Sequence, residues 1–323
     1  MITLPSGRKI GQNSPPFIIA EVGSNFRDKA DCIKSIQLAK SCAASAVKFQ
    51  LYDSKALYGF DGVPVKGVLD PAWLPHMAEK AKAVGIDFLC TAFSPEGYNL
   101  VNEYVPAHKV ASAESTHVRI LERLRKIGKP VILSTGAHGV EDIRQALKAL
   151  GPTPVILMYC VAAYPARHVE IVSMGLLKME FKTPVGFSDH TTDVGVIPLA
   201  FVKKGACVIE KHVNFVDAKG PDAEHSLSCD EFKQMVESIR YDGLGRIGTM
   251  PSEKPMILRH NRRLIAIKDI AKLEKLVENT NFGIYRSLKD DTHAYGPFMV
   301  DEVNGKTARR AIKAGDGIGP GDI

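Results

Sequence analysis

The feature that most constrains this chain is a short apolar run that recurs through residues 17–214, each time followed by a helical stretch. The runs are 17–23 (FIIAEVG), 46–50 (AVKFQ), 87–93 (DFLCTAF), 108–112 (HKVAS), 130–136 (PVILSTG), 155–161 (VILMYCV), 184–190 (PVGFSDH) and 207–214 (CVIEKHVN). Continuous apolar runs this short suit strands whose two faces are both covered. Between them the period lengthens to that of a helix, as in 140–150 (VEDIRQALKAL) and 230–239 (DEFKQMVESI). Eight βα units over roughly 200 residues predict an α/β fold of the (β/α)8 TIM-barrel type, with a doubly wound sheet as the competing arrangement.

The character changes after about residue 245. Residues 243–255 hold three glycines and two prolines, as a linker would. Beyond them come short alternating segments (263–269, 282–286, 306–312) and the glycine-rich end GDGIGPGDI. The expected organisation is a barrel over 1–245, a linker over 246–257 and a small β-rich module over 258–323. A module of that size buries little core alone and is expected to lean on another surface.

Composition narrows the function. With 45% hydrophobic and 24% charged residues the chain is ordinary globular protein, which excludes disordered and fibrous classes. No apolar run approaches the roughly 20 residues of a membrane span, and the start MITLP is no signal peptide, so a soluble cytoplasmic protein is expected. The net charge of +6 is spread rather than blocked, which suits a small anionic substrate and not a nucleic-acid groove. Six cysteines without a CxxC pair suggest buried free thiols. There is no Walker A motif, Rossmann fingerprint or Gly-x-Ser-x-Gly elbow, so nucleotide binding and serine hydrolysis have no support.

Polar residues collect at the C-terminal ends of the inferred strands. They are Glu21; Lys48 and Gln50; Thr91; Ser112 and Glu114; Ser134 and Thr135; Tyr164; Ser188, Asp189 and His190; Glu210, Lys211 and His212. In a barrel these ends share one rim, where active sites are built. His190 and His212 would sit on neighbouring strands and suit a divalent transition ion, or else be two hydrogen-bonded histidines. Lys48 and Lys129, beside the hydroxyls of Ser112, Ser134 and Thr135, would form a pocket for carboxylate and phosphate, unless they only snorkel from strand and helix ends. Gly136 and Gly139 precede a helix whose free amides could add to anion binding.

The segments IAEVGSN (19–25), AVKFQ (46–50), KVASAE (109–114), GKPVILSTG (128–136), AYP (163–165), GFSDHT (186–191) and VIEKH (208–212) resemble the sialic acid synthase family in order and spacing. The tail, RRLIAIKDI (262–270) and GKTARRAIKAGDGIGPGDI (305–323), is similar to that family's C-terminal antifreeze-like (SAF) domain. The resemblance implies a TIM barrel that condenses phosphoenolpyruvate with an N-acylated amino sugar aldehyde, giving a nine-carbon keto sugar acid and phosphate with Mn²⁺ or Mg²⁺. It implies His190 and His212 as metal ligands. Lys48, Ser112, Lys129, Ser134 and Ser188 would contact phosphoenolpyruvate, with Glu21, Tyr164 and Asp222 facing the sugar. Glu210 would lie near the reacting carbons. It also implies a domain-swapped homodimer in which an arginine, here matched best by Arg286, reaches the partner's pocket. The chain departs from the family pattern at 25–28 (NFRD), at Ala162, at 220–225 (GPDAEH) and at 286–288 (RSL), mostly toward the sugar end.

Overall fold

The computed structural model describes residues 1–11, 14–197, 200, 205–241, 261–289 and 291–323. The chain divides into two compact units, Met1–Leu244 and Gly245–Ile323. The expected linker over 246–257 falls outside the described residues, as do the residues around it.

The first unit opens with a two-stranded hairpin, β1 (Ile2–Thr3) and β2 (Lys9–Ile10). Eight parallel strands follow: β3 (Phe17–Gly23), β4 (Ala46–Leu51), β5 (Asp87–Ala92), β6 (His108–Val110), β7 (Val131–Ser134), β8 (Val155–Tyr159), β9 (Val185–Asp189) and β10 (Val208–His212). Their order in the sheet is β5-β4-β3-β10-β9-β8-β7-β6, and β5 lies alongside β6. The first barrel strand is therefore flanked by the second and the last. That is a TIM barrel, and the doubly wound alternative is excluded. Seven of the eight apolar runs singled out in the sequence contain one of these strands whole, and the run 46–50 falls one residue short of the end of β4.

Strand parity sorts the side chains into two layers. Ile18, Ala20 and Val22 of β3, with Val47, Phe49 and Leu51 of β4, pack outward against the helices. The helices of this unit include α1 (Lys29–Ser41), α2 (Ser54–Tyr58), α3 (Leu74–Val84) and α4 (Pro95–Val101). Then come α5 (Val118–Ile127), α6 (Val140–Leu150), α7 (Val172–Phe181) and α8 (Cys229–Tyr241). An apolar stripe covers the strands where the helix is amphipathic, as Ile143, Ala146 and Leu150 of α6 do at i, i+3 and i+7, whereas the short α2 buries none of its residues. Phe17, Ile19, Ala46, Leu89, Ile132, Ile156 and Val208 instead pack along the barrel axis, together with Ile2, Leu4 and Ile10 from the N-terminal hairpin. The hairpin thus plugs the end of the barrel where the strands begin.

The second unit has its own core, with Leu264, Leu276, Phe282, Val303 and Ile312 fully buried. Its regular sheet is one antiparallel pair, β11 (Arg262–Ala266) and β12 (Phe282–Arg286). The segment 306–312, expected as a strand, makes only isolated bridges to Ile270 and Lys275. A short helix, α9 (Val300–Val303), completes it. No helix among the described residues is long and apolar enough to cross a membrane.

Candidate active site

Along the axis the inward-facing residues turn from apolar to polar within one step of the pleat. Ile19 gives way to Glu21, Ala46 to Lys48, Leu89 to Thr91, Ala107 to Lys109, Ile132 to Ser134, and Val208 to Glu210 and His212. The polar layer lies toward the C-terminal ends of the strands, where barrel enzymes place their chemistry.

Two lysines and two glutamates form a buried tetrad in that layer. Glu21 and Lys48 are register partners on β3 and β4, with Oε2 2.8 Å from Nζ. Gln50 Nε2 donates to Glu21 Oε1 at 2.8 Å, and Lys48 donates to Thr91 Oγ1 at 3.2 Å. Glu210 lies 3.7 Å from Lys48 and 3.4 Å from Lys109, and accepts from Ser188 Oγ at 3.0 Å. Lys109 also donates to Ser134 Oγ at 2.7 Å. None of the four is more than 4% exposed. Two positive and two negative groups leave the cluster neutral, which is how four ionisable side chains tolerate a dry interior.

The environments of the two carboxyls differ. Burial lifts Glu21 to about 7 although Lys48 opposes it. Burial also pushes Glu210 upward, but Lys109, Lys48 and the Ser188 hydroxyl outweigh it and hold the group below its ordinary range. Near neutral pH, Glu21 is therefore the carboxyl able to give or take a proton, while Glu210 stays a carboxylate. Burial lowers Lys109 despite Glu210, whereas for Lys48 the two glutamates outweigh burial and raise it.

Beside the tetrad stand three imidazoles. His190 Nδ1 donates to the Val161 carbonyl at 2.6 Å, which leaves Nε2 as the acceptor nitrogen. His212 Nδ1 and His225 Nε2 are buried with no hydrogen-bond partner, and each faces Asp222, at 3.9 and 3.8 Å. The His212 and His225 rings are 4.8 Å apart, and Tyr164 stacks on His190 at 4.2 Å. Burial pulls His190 down to about 4 and depresses His212 and His225 as well, so all three are neutral with lone pairs available. A ligand atom from each of His212, Asp222 and His225 lies within 4.8 Å of the others. Two orphaned imidazole nitrogens facing one carboxylate are a donor set that fits a divalent ion of intermediate softness. Behind them, Lys211 and Asp189 pair at 2.5 Å with no exposure, facing away from the axis and not the rim opening. They lock β9 to β10 and so fix the spacing of His190 and His212.

The structure brings together Glu21, Lys48, Ser134, Ser188 and Glu210 in one group, and His190, His212, Tyr164 and Asp222 beside it. Ser112 stands at the end of β6, where its Oγ accepts from the Gly136 amide at 3.0 Å. Two expected residues lie elsewhere. Lys129 precedes β7 and so sits at the opposite mouth of the barrel, sharing a cavity with Pro5 and Asp87. Its ammonium is held by the Asn102 carbonyl and, at 2.9 Å, by the Val105 carbonyl. The second site lysine is Lys109, one residue inside β6. Thr135 is one pleat step from Ser134 and faces outward, its Oγ1 donating to the Met158 carbonyl at 3.0 Å. His225 lies in the loop after β10, where no strand period marks it. Arg286 ends β12 in the second unit and is exposed.

Gly23 sets the closeness of Asp222 to the rim. It has φ +59°, and a Cβ there would lie 2.4 Å from Asp222 Oδ2. Gly23→Ala is expected to strain the backbone and displace the carboxylate, lowering kcat/KM at least about tenfold, the equivalent of ~1.4 kcal/mol. The circular-dichroism spectrum should stay native; steady-state kinetics within twofold of the parent would show that the approach of Asp222 is immaterial.

A closed barrel with a dry lysine–carboxylate tetrad and clustered imidazoles at its strand ends defines an enzyme core. The NeuB family profile matches residues 65–243, and the chain belongs to that family. The chain is 31% identical to a pseudaminic acid synthase of Campylobacter jejuni over 95% of its length and 96% of the relative's. It is 31% identical to the N,N'-diacetyllegionaminic acid synthase of Legionella pneumophila, covering 83% of this chain and 86% of the relative. Among solved structures, the N-acetylneuraminic acid synthetase of Leptospira borgpetersenii in complex with citrate superposes with a TM-score of 0.71 at 30% identity. That match covers 79% of this chain and 94% of the other.

Proposed function

We propose that this protein condenses phosphoenolpyruvate with an N-acylated amino sugar aldehyde, forming a carbon–carbon bond to give a nonulosonic acid and free phosphate. The observation that carries this reading is the Glu21–Lys48–Glu210–Lys109 tetrad at the strand ends of a NeuB-family barrel. Lys48 and Lys109 supply two fixed cations for a substrate that carries a carboxylate and a phosphate, and Ser112, Ser134 and Ser188 supply directional donors. Binding such an anion draws the lysines from their glutamates. Glu21, already near neutrality, then takes the proton from a water adding to the enol carbon, while Glu210 stays ionised and stabilises positive charge developing there. His190, His212, Asp222 and His225 are the residues available to hold Mn²⁺ or Mg²⁺, which when bound would polarise the aldehyde oxygen. Tyr164, stacked on His190, and Asp222 offer a ring face and a carboxylate to the sugar.

The test is phosphate release from phosphoenolpyruvate over a panel of N-acylated amino sugars with Mn²⁺. Release with at least one sugar, accompanied by a keto acid product, is expected. Phosphate release that ignores every sugar, or none with any, would overturn the reading.

The second unit we read as the antifreeze-like SAF domain, which would cover the partner's rim in a homodimer and present Arg286 there. Its support is the tail resemblance and the exposure of Arg286. Mixing an Arg286→Ala chain with a Glu21→Ala chain is expected to restore part of the activity, because one composite site per mixed dimer is then wild type. Activity that stays low on mixing would place Arg286 outside the partner's site, and light scattering showing a monomer would end the dimer.

A further inference from the structure

Two of the six cysteines stand apart from the others. Cys42 caps the C-terminus of α1 and Cys229 begins α8, and their sulfurs are 3.2 Å apart although 187 positions separate them in sequence. Cys42 is buried, and Cys229 is half-buried and so open to solvent reagents. The pair also has a defined place in the fold. Helix α1 follows β3 and α8 follows β10, and β3 and β10 are neighbours in the sheet. The two thiols thus meet at the seam where the first βα unit of the barrel closes against the last.

We propose that Cys42 and Cys229 are an oxidative modification site, forming a disulfide that staples the barrel across its closing seam. Non-bonded thiols already at contact distance need only a small approach to reach the bonded separation of roughly 2.0 Å. The chemistry is thiol–disulfide exchange with a small-molecule disulfide as oxidant. The Cys229 thiolate attacks one sulfur of the reagent, forming a mixed disulfide and releasing one thiolate. Cys42 then attacks the Cys229 sulfur, its proton passes to solvent, and the second reagent thiolate leaves. In total two protein thiols lose two electrons and two protons, and one reagent disulfide becomes two thiols. Cys42 lies in apolar surroundings that disfavour its thiolate, so the second step is slow and the pair stays reduced unless oxidant persists. The bond would close a loop holding most of the barrel, the arrangement in which a cross-link restricts the unfolded chain most.

The experiment uses the full chain equilibrated with oxidised glutathione, then alkylated and digested without reductant. A cross-linked peptide pair containing Cys42 and Cys229 is expected, with free thiols falling from six to four. The thermal midpoint should rise by about 5 °C or more, reversibly on adding dithiothreitol. Cys229→Ser, at a half-exposed position, should keep the native midpoint and abolish both the cross-link and the rise; Cys42→Ala serves as the second variant. A stable glutathione adduct on Cys229, a cross-link to any other cysteine, or six unreacted thiols would overturn the site. A Cys42–Cys229 bond that leaves the midpoint unchanged would overturn the staple.

Discussion

Replacing Lys109 with methionine is expected to lower kcat/KM by a factor of roughly 30 to several thousand, about 2–5 kcal/mol of transition-state stabilisation. The methionine keeps the apolar stem but withdraws the cation that faces Glu210 at 3.4 Å and Ser134 at 2.7 Å. Glu210 is then left with Lys48 and Ser188 alone, and burial pushes it toward the neutral acid. The informative control is Lys129→Met. That lysine holds two carbonyls at the other mouth of the barrel, so its loss should lower stability by about 1–2 kcal/mol and leave the apparent affinity for phosphoenolpyruvate unchanged. Kinetics on the two variants in parallel decide between them. A large kinetic defect in Lys129→Met with a silent Lys109→Met would reverse the assignment.

His212→Ala is the second large effect. Activity should fall at least about a hundredfold, in line with the several kcal/mol a bound ion contributes, and Mn²⁺ binding measured by calorimetry should weaken with it. Stability should not follow. The His212 Nδ1 is buried without a partner, a state that costs about 1–3 kcal/mol, so deleting it offsets much of the packing lost with the ring. A metal-free thermal midpoint within a few degrees of the parent is therefore expected. Full activity in excess chelator, or Mn²⁺ affinity unchanged in both His212→Ala and His225→Ala, would remove the metal from this group.

How much of this was legible beforehand depends on where each residue stands in the barrel. Strand residues were readable because burial on both faces forces continuous apolar runs, and the polar interruptions at Glu21, Lys48, Ser188, Glu210 and His212 mark the level at which the interior becomes a site. Lys109 escaped because it lies within HKVAS, where a lysine beside valine and histidine reads as a strand edge. Parity would have found it: Ala107 and Lys109 alternate with the outward-facing His108 and Val110. Lys129 was misplaced by the same ambiguity, since a lysine adjoining a strand can stand at either mouth, and only the strand's direction settles which. Thr135 fails by one step of the pleat. His225 lies in a loop, where side-chain direction is set by tertiary contacts with Asp222 and Tyr164 and no local period reports it.

The N-terminal hairpin gives the barrel a floor. With Ile2, Leu4 and Ile10 seated among the axial residues, one mouth of the barrel is stoppered by apolar side chains, and the polar layer lies toward the other. Substrate and product would then share the mouth at the strand ends, so whatever binds last would leave first. The same floor keeps water from reaching the carboxylates from beneath. Glu21, whose proton affinity burial raises, thus stands above a continuous apolar stack made of the axial strand residues and, beneath them, the aliphatic side chains of the hairpin.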